Sequence, residues 1–326
     1  MALDTLFCLI GFAMLYYGAE WLVKGSSSLA RSLGVKPVVI GLTVVAFGTS
    51  APELVVSLVS SIQGKSMIAV GNVVGSNICN IALILGVSAV CQPITCHSSV
   101  VKRDIPIMIG VSLYLLVLSL NSTIGRLEGA TLFGGIILYT FFNYYNARKE
   151  SPGEARQEAI LFEPGLEELG FIESRGKQIL FIVVGICGVV LGAQLVVDSA
   201  VKIMTVLGVS EKFIGLTIVA FGTSLPELAT SIIAAIKKEM DISIGNLVGS
   251  NVFNILSVVG LASLIRPIPV PGGFFHSGLL VDYLVMILVS ALPWFMMRKS
   301  NTVTRKGGFI LLACYVGYLG YLIYKA

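Results

Sequence analysis

Long apolar runs separated by short polar stretches follow one another along the whole 326-residue chain. Runs of about 18 residues suffice for an α-helix to cross a hydrocarbon core about 30 Å thick. The pattern predicts spans over 4–29, 38–62, 67–90, 104–120, 126–146, 178–205, 212–236, 241–265, 279–297 and 307–324. Stretches such as ILFIVVGICGVVLGAQLVV show no alternation of apolar and polar positions, which argues against a transmembrane β-barrel. The expectation is an all-α polytopic membrane protein with ten transmembrane helices. The first run lacks a basic leader and a clear small-residue cleavage site, and is expected to be a retained span.

The pattern also repeats. Shifting the sequence by 174 positions lays IGLTVVAFGTSAPELVVSLVSSI, from residue 40, on IGLTIVAFGTSLPELATSIIAAI, from residue 214. The same shift lays GNVVGSNICNIALILG on GNLVGSNVFNILSVVG, and 25 of the 47 positions from 40 to 86 are identical without a gap. Residues 1–146 form one five-helix repeat, 147–176 a polar cytoplasmic linker and 177–326 a second repeat. An odd number of spans per repeat turns the second upside down relative to the first. Such inverted repeats are a transporter architecture, with the binding site near the bilayer midplane. The linker holds seven glutamates among scattered bases and reads as a solvated connector.

Composition fits this picture: 56% of residues are hydrophobic and 12% charged, against roughly 25% charged in a soluble domain. With the N-terminus outside, the inner loops hold fifteen Lys and Arg residues and the outer loops six, leaving out Lys24. By the positive-inside rule both termini face outside, in a multi-pass cell-membrane protein. The net charge of +4 therefore reports topology and gives no sign of nucleic-acid binding. The six cysteines fall mostly inside spans and do not read as a disulfide framework. Cys91, Cys96 and His97 make only a weak metal signal, and His276 reads as a loop residue.

The duplicated octapeptides AFGTSAPE and AFGTSLPE carry the chemistry. Pro52 and Pro226 stand inside predicted spans, where proline disrupts bonding to the carbonyls of Gly48 and Gly222 and breaks the helix. Freed carbonyls at that depth must face a protein cavity or an ion, so paired breaks mark a site. Beside each break stands an intramembrane carboxylate, Glu53 or Glu227, a functional hypothesis by default. Thr49 and Ser50 share the helix face of Glu53, as Thr223 and Ser224 share that of Glu227. Ser76 with Asn80, and Ser250 with Asn254, are likewise four residues apart. Gly71, Gly75, Gly245 and Gly249 allow close packing or local unwinding around them. Singly, these residues are as often kinks and packing groups; their duplication in register favours function. The set is all oxygen, which suits calcium and also sodium, and lacks the nitrogen and sulfur that zinc prefers. Glu20 and Lys24 are not repeated. Asp4, Asp104, Glu128 and Asp282 lie near span ends, where snorkelling or capping explains them.

At these residues the sequence resembles the cation/calcium exchanger superfamily, whose two repeats carry GTS.PE and GN..GSN..N in adjacent helices. The resemblance covers nearly the whole chain and is nearest to the sodium/calcium exchanger branch in its compact, prokaryotic ten-helix form. It implies that Glu53 and Glu227 are the central ligands of calcium and sodium. Thr49, Ser50, Ser76, Asn80, Thr223, Ser224, Ser250 and Asn254 would complete the sites, with the carbonyls of Ala46 and Ala220. Some relatives carry Asp where this chain has Asn254; its absence disfavours potassium co-transport.

The expected function is a secondary antiporter exchanging sodium for calcium by alternating access. The resemblance implies three sodium ions per calcium, hence one net charge per cycle, worth about 2.3 kcal/mol per 100 mV. The alternatives are a proton/calcium antiporter of the same superfamily, in which the two glutamates carry protons, and a cation channel. No enzyme is expected: no His, Cys or Asp dyad falls inside the spans, and GTSAPE lacks the partners of a serine nucleophile. No cofactor is expected. The partners are calcium and sodium ions and the lipid bilayer, and the chain is expected to act as a monomer.

Overall fold

The computed structural model describes residues 2–149, 170–208, 220–271 and 273–325. It is built from helices: α1 (Ala2–Leu33), α2 (Pro37–Thr49), α3 (Ala51–Ile62), α4 (Ser66–Cys91), α5 (Ile105–Ser119), α6 (Arg126–Lys149), α7 (Arg175–Val206), α8 (Leu225–Ile236), α9 (Met240–Ile265), α10 (Leu279–Met297) and α11 (Arg305–Lys325). A short turn, Ala220–Gly222, precedes α8. Four two-residue strands, β1 (Ile94–Thr95), β2 (Thr123–Ile124), β3 (Ile268–Pro269) and β4 (Thr302–Val303), pair antiparallel as β1 with β4 and β2 with β3.

Among the described residues, six helices are long and apolar enough to cross a membrane: α1, α4, α7, α9, α10 and α11. The bent pair α2 and α3 makes a seventh. This count falls below the ten expected spans for identifiable reasons. α5 has 15 residues and follows a π-helical turn, Val100–Asp104, that carries three charges. α6 is diluted by tyrosine, glycine and asparagine. Of the expected span 212–236, residues 212–219 lie outside the described residues, as do 150–169 of the linker.

The chain divides into two compact units, one from the described residues of 1–52 and 150–246, the other from those of 53–149 and 247–326. Each draws segments from both sequence repeats.

In the first unit α1 packs along α7. Small residues allow it: a Cβ on Gly18 would lie 2.7 Å from the Val189 nitrogen, and one on Gly185 would lie 2.6 Å from the Leu22 nitrogen. Gly11 meets Gly192 and Gly25 meets Gln178, so the two helices run antiparallel. Leu15, Ala19, Leu22 and Val23 interleave with Ile182, Val189, Ala193 and Val196 in a buried cluster. α1 closes on Gly34 at φ +69, whose N–H bonds the Arg31 carbonyl while Val35 bonds Ala30, a left-handed helix cap. Near that end Glu239, 2% exposed, accepts the Ser27 hydroxyl at 2.6 Å and the Arg31 guanidinium at 3.1 Å. Lys237 pairs with Glu20 at 2.7 Å.

In the second unit the same glycine crossing appears twice. A Cβ on Gly129 of α6 would lie 2.9 Å from the Gly260 carbonyl of α9, and one on Gly308 of α11 would lie 2.7 Å from the Gly86 carbonyl of α4. Gly86 and Gly260 are related by the 174-residue shift. α5 meets α10, where Ser119 and the buried Tyr283 share a hydrogen bond of 3.0 Å. Glu128 caps α6 as expected, taking the Gly125 N–H at 3.1 Å. Asp104 does not reach for water; it is fully buried and paired with Arg103 at 2.9 Å.

Gly185→Ala is expected to cost about 1–3 kcal/mol and to lower the midpoint of thermal unfolding in detergent. Gly110→Ala, where a Cβ meets nothing within 4 Å, should leave the midpoint unchanged. A Gly185→Ala midpoint at or above that of Gly110→Ala contradicts the packing.

Candidate functional site

Both octapeptides break their helix, and serine rather than proline is the breaking residue. Ser50, at φ −83 and ψ 10, separates α2 from α3, and the pair bends by 47°. Ser224, at φ −90 and ψ 6, stands before α8 in the same way. Pro52 and Pro226 fall in the first turn of the helix that follows, where a missing N–H costs no hydrogen bond. The expected disruption at the proline thus lies two residues earlier. The Ala46 carbonyl accepts the Ser50 N–H at 3.1 Å, and the Phe221 carbonyl accepts the Ser224 N–H at 3.1 Å.

Glu53 and Glu227 are each the third residue of their helix and have no exposed surface. The amide dipoles of a first helical turn favour a negative charge there. The spelling S-x-x-E also matches a capping box, but Ser224 makes no side-chain cap bond to α8. The Glu227 carboxylate instead accepts the hydroxyl of Ser50, from the other octapeptide, at 2.8 Å. Its use lies outside its own helix.

Within the first unit, Thr49, Ser50, Ser224 and Glu227 are buried alongside a residue not singled out from sequence, Asn246. Thr49 donates to Asn246 Oδ1 at 3.0 Å, and Asn246 Nδ2 donates to Ser231 at 3.1 Å. Thr223 Oγ1 is buried with no hydrogen-bond partner among the described residues.

Within the second unit, Ser76 donates to Glu53 Oε1 at 3.5 Å. Asn72, the repeat counterpart of Asn246, donates to the Glu53 carbonyl at 3.2 Å and to Ser57 at 3.0 Å. Ser250 is fully buried. Asn80 and Asn254 sit in matching π-helical turns, Cys79–Leu85 and Asn254–Val259; such turns concentrate at functional sites. Their Oδ1 atoms are buried with no hydrogen-bond partner among the described residues. Gly71 and Gly75 do not make the expected close approach, since a Cβ on either would meet nothing within 4 Å; Gly245 does, against Val38 and Gly41.

The residues missed from sequence are Asn72, Asn246, Asn77 and Asn251, with Ser57 and Ser231. All are identical under the 174-residue shift, so the signal was present. The donors gathered are carboxylate, hydroxyl and amide oxygens, and no group of three His, Cys, Asp or Glu residues occurs among the described residues. Such a set suits hard cations.

The family model described as sodium/calcium exchanger protein matches residues 3–145 and 177–324, taking in every one of these residues. The chain belongs to the sodium/calcium exchanger family. A protein of this family is a membrane transporter, and this member is a cation/calcium exchanger. The sodium/calcium exchanger MaX1 of Methanosarcina acetivorans is 32% identical over 352 residues, covering 99% of both chains. The inner membrane protein YrbG of Escherichia coli is 36% identical over 324 residues, covering 99% of this chain and 97% of its own. The solved structure of the sodium-calcium exchanger NCX_Mj, soaked with zero sodium and calcium, superposes with a TM-score of 0.83 at 32% identity, covering 98% of this exchanger and 99% of that chain.

Ser50→Ala removes a hydroxyl that donates to a buried carboxylate, a bond worth about 1.5–3 kcal/mol. In cation-free detergent its thermal midpoint is expected to fall. A midpoint equal to wild type would show that the bond contributes nothing.

Proposed function

We propose that this exchanger is an electrogenic antiporter that trades sodium for calcium by alternating access, sodium inward and calcium outward. The proposed ligands are Glu53 and Glu227, with Thr49, Ser50, Ser76, Asn80, Thr223, Ser224, Ser250 and Asn254 and the carbonyls of Ala46 and Ala220. The observation that carries the reading is a fully buried glutamate in the first turn after a helix break, present twice at equivalent positions. Two carboxylates balance one calcium ion, and the adjoining hydroxyls add neutral oxygens that suit sodium.

Ten spans in two inverted five-helix halves, with both termini outside, complete the proposal. Two contacts support the inversion. α1 and α7 are equivalent under the 174-residue shift, GAEWLVKG matching GAQLVVDS, and they pack antiparallel. β1 moved by the same shift falls on β3. β1 and β4 lie before α5 while β2 and β3 lie after it, about 22 Å away along a 15-residue helix. Counterparts at opposite ends of one unit are what an inverted repeat requires.

The test is calcium uptake into sodium-loaded proteoliposomes, with external sodium and pH varied independently, for wild type and Glu53→Gln. Uptake should require the outward sodium gradient and vanish in the variant. Uptake that follows a pH gradient and ignores sodium would replace sodium by protons as the coupling ion. Calcium entry without any counter-ion would overturn antiport itself.

A further inference from the structure

Four buried asparagines of the second unit are hydrogen-bonded together between α4 and α9: Asn77 and Asn251 close a ring, and Asn254 and Asn80 are each attached to one of its members. Asn77 Nδ2 donates to the Asn251 carbonyl at 3.2 Å, and Asn251 Nδ2 donates to the Asn77 carbonyl at 3.2 Å. A backbone carbonyl only accepts, so these two contacts fix which end of each amide is nitrogen. The Oδ1 of Asn251 then accepts Asn80 Nδ2 at 3.0 Å, and the Oδ1 of Asn77 accepts Asn254 Nδ2 at 3.1 Å. With their nitrogens committed, Asn80 and Asn254 are left with one free end each, the Oδ1, fully buried and without a hydrogen-bond partner among the described residues. A buried amide oxygen left so carries a desolvation cost that a cation would relieve.

We propose that Asn77 and Asn251 are positioning residues for the transported cation, each locking the amide of the opposite repeat's ligand so that oxygen and not nitrogen is presented. Asn77, in the first repeat, holds Asn254 of the second; Asn251 holds Asn80. This rests on the reading of Asn80 and Asn254 as ligands. Neither positioning residue contacts the cation. Without Asn77, the Asn254 side chain can turn its NH2 end toward the ion, and the ligand becomes a repulsive donor. A ring that served only to fasten α4 to α9 would lack this cross-wired specificity.

The experiment is a set of double-mutant cycles on the apparent KM for calcium in sodium-driven uptake, with Vmax normalised to reconstituted protein. Asn77→Ala should raise the apparent KM about tenfold, the worth of about one hydrogen bond. It should add nothing in the Asn254→Ala background and keep its full effect in the Asn80→Ala background. Asn251→Ala should show the mirror pattern, coupling to Asn80 and not to Asn254, and it carries the test should Asn77→Ala fail to fold. Equal effects in both backgrounds, or a fall in Vmax with KM unchanged, would overturn the positioning role while leaving the ligand reading intact. An unchanged KM in Asn254→Ala itself would overturn the ligand reading, and the positioning role with it.

Discussion

A carboxylate taken fully out of water must be met by hydrogen-bond donors or by a cation, and this chain buries Glu53 and Glu227 beside its helix breaks, besides the ion-paired Asp104 and Glu239. Much of the surrounding structure follows from that constraint. A serine breaks each helix at the level of the acid, and proline in the next turn starts a new helix without wasting a donor. Each glutamate then sits at the positive end of its own helix dipole and accepts a hydroxyl from a neighbouring segment. Neutral donors soften the desolvation of a charge without cancelling the charge, and in the proposed function the transported cation completes the compensation.

Duplication makes the arrangement economical. The Asn72 to Ser57 bond recurs as Asn246 to Ser231, and the asparagine ring reads the same from either repeat. The symmetry is incomplete in an informative way. The Glu239 tie to Ser27 and Arg31 has no twin, because the equivalent positions hold Lys65, Val201 and Thr205. One end of α1 is therefore fastened by an ion pair that the repeat counterpart lacks.

Sequence periodicity revealed the helical class, and the 174-residue shift revealed the acids, because both depend on residue type at fixed spacing. What stayed hidden depends on hydrogen bonds between distant segments. Nothing local in GTSAPE tells that Ser50 rather than Pro52 ends the helix, or that the Ser50 hydroxyl goes to Glu227 across 177 positions. Asn77 and Asn251 were as visibly duplicated as Asn80 and Asn254, yet their role lies in contacts 171 to 177 positions away. Asp104 looked like a span-end residue because apolar runs mark span limits only coarsely, and its burial comes from tertiary packing. Apolarity alone marks α5 and α6 only weakly: α5 has 15 residues and α6 is interrupted by tyrosine, glycine and asparagine, so among the described residues six helices and one bent pair stand out as spans.

The central proposal is that Glu53 and Glu227 are each needed for calcium to bind and that sodium competes with calcium. Equilibrium calcium binding to the detergent-solubilised chain, measured at rising sodium for wild type, Glu53→Gln and Glu227→Gln, tests it most directly. The expected result is one calcium per chain, displaced by sodium and lost in either single variant. Two calcium ions per chain, each removed by a different variant, or binding indifferent to sodium, would contradict it.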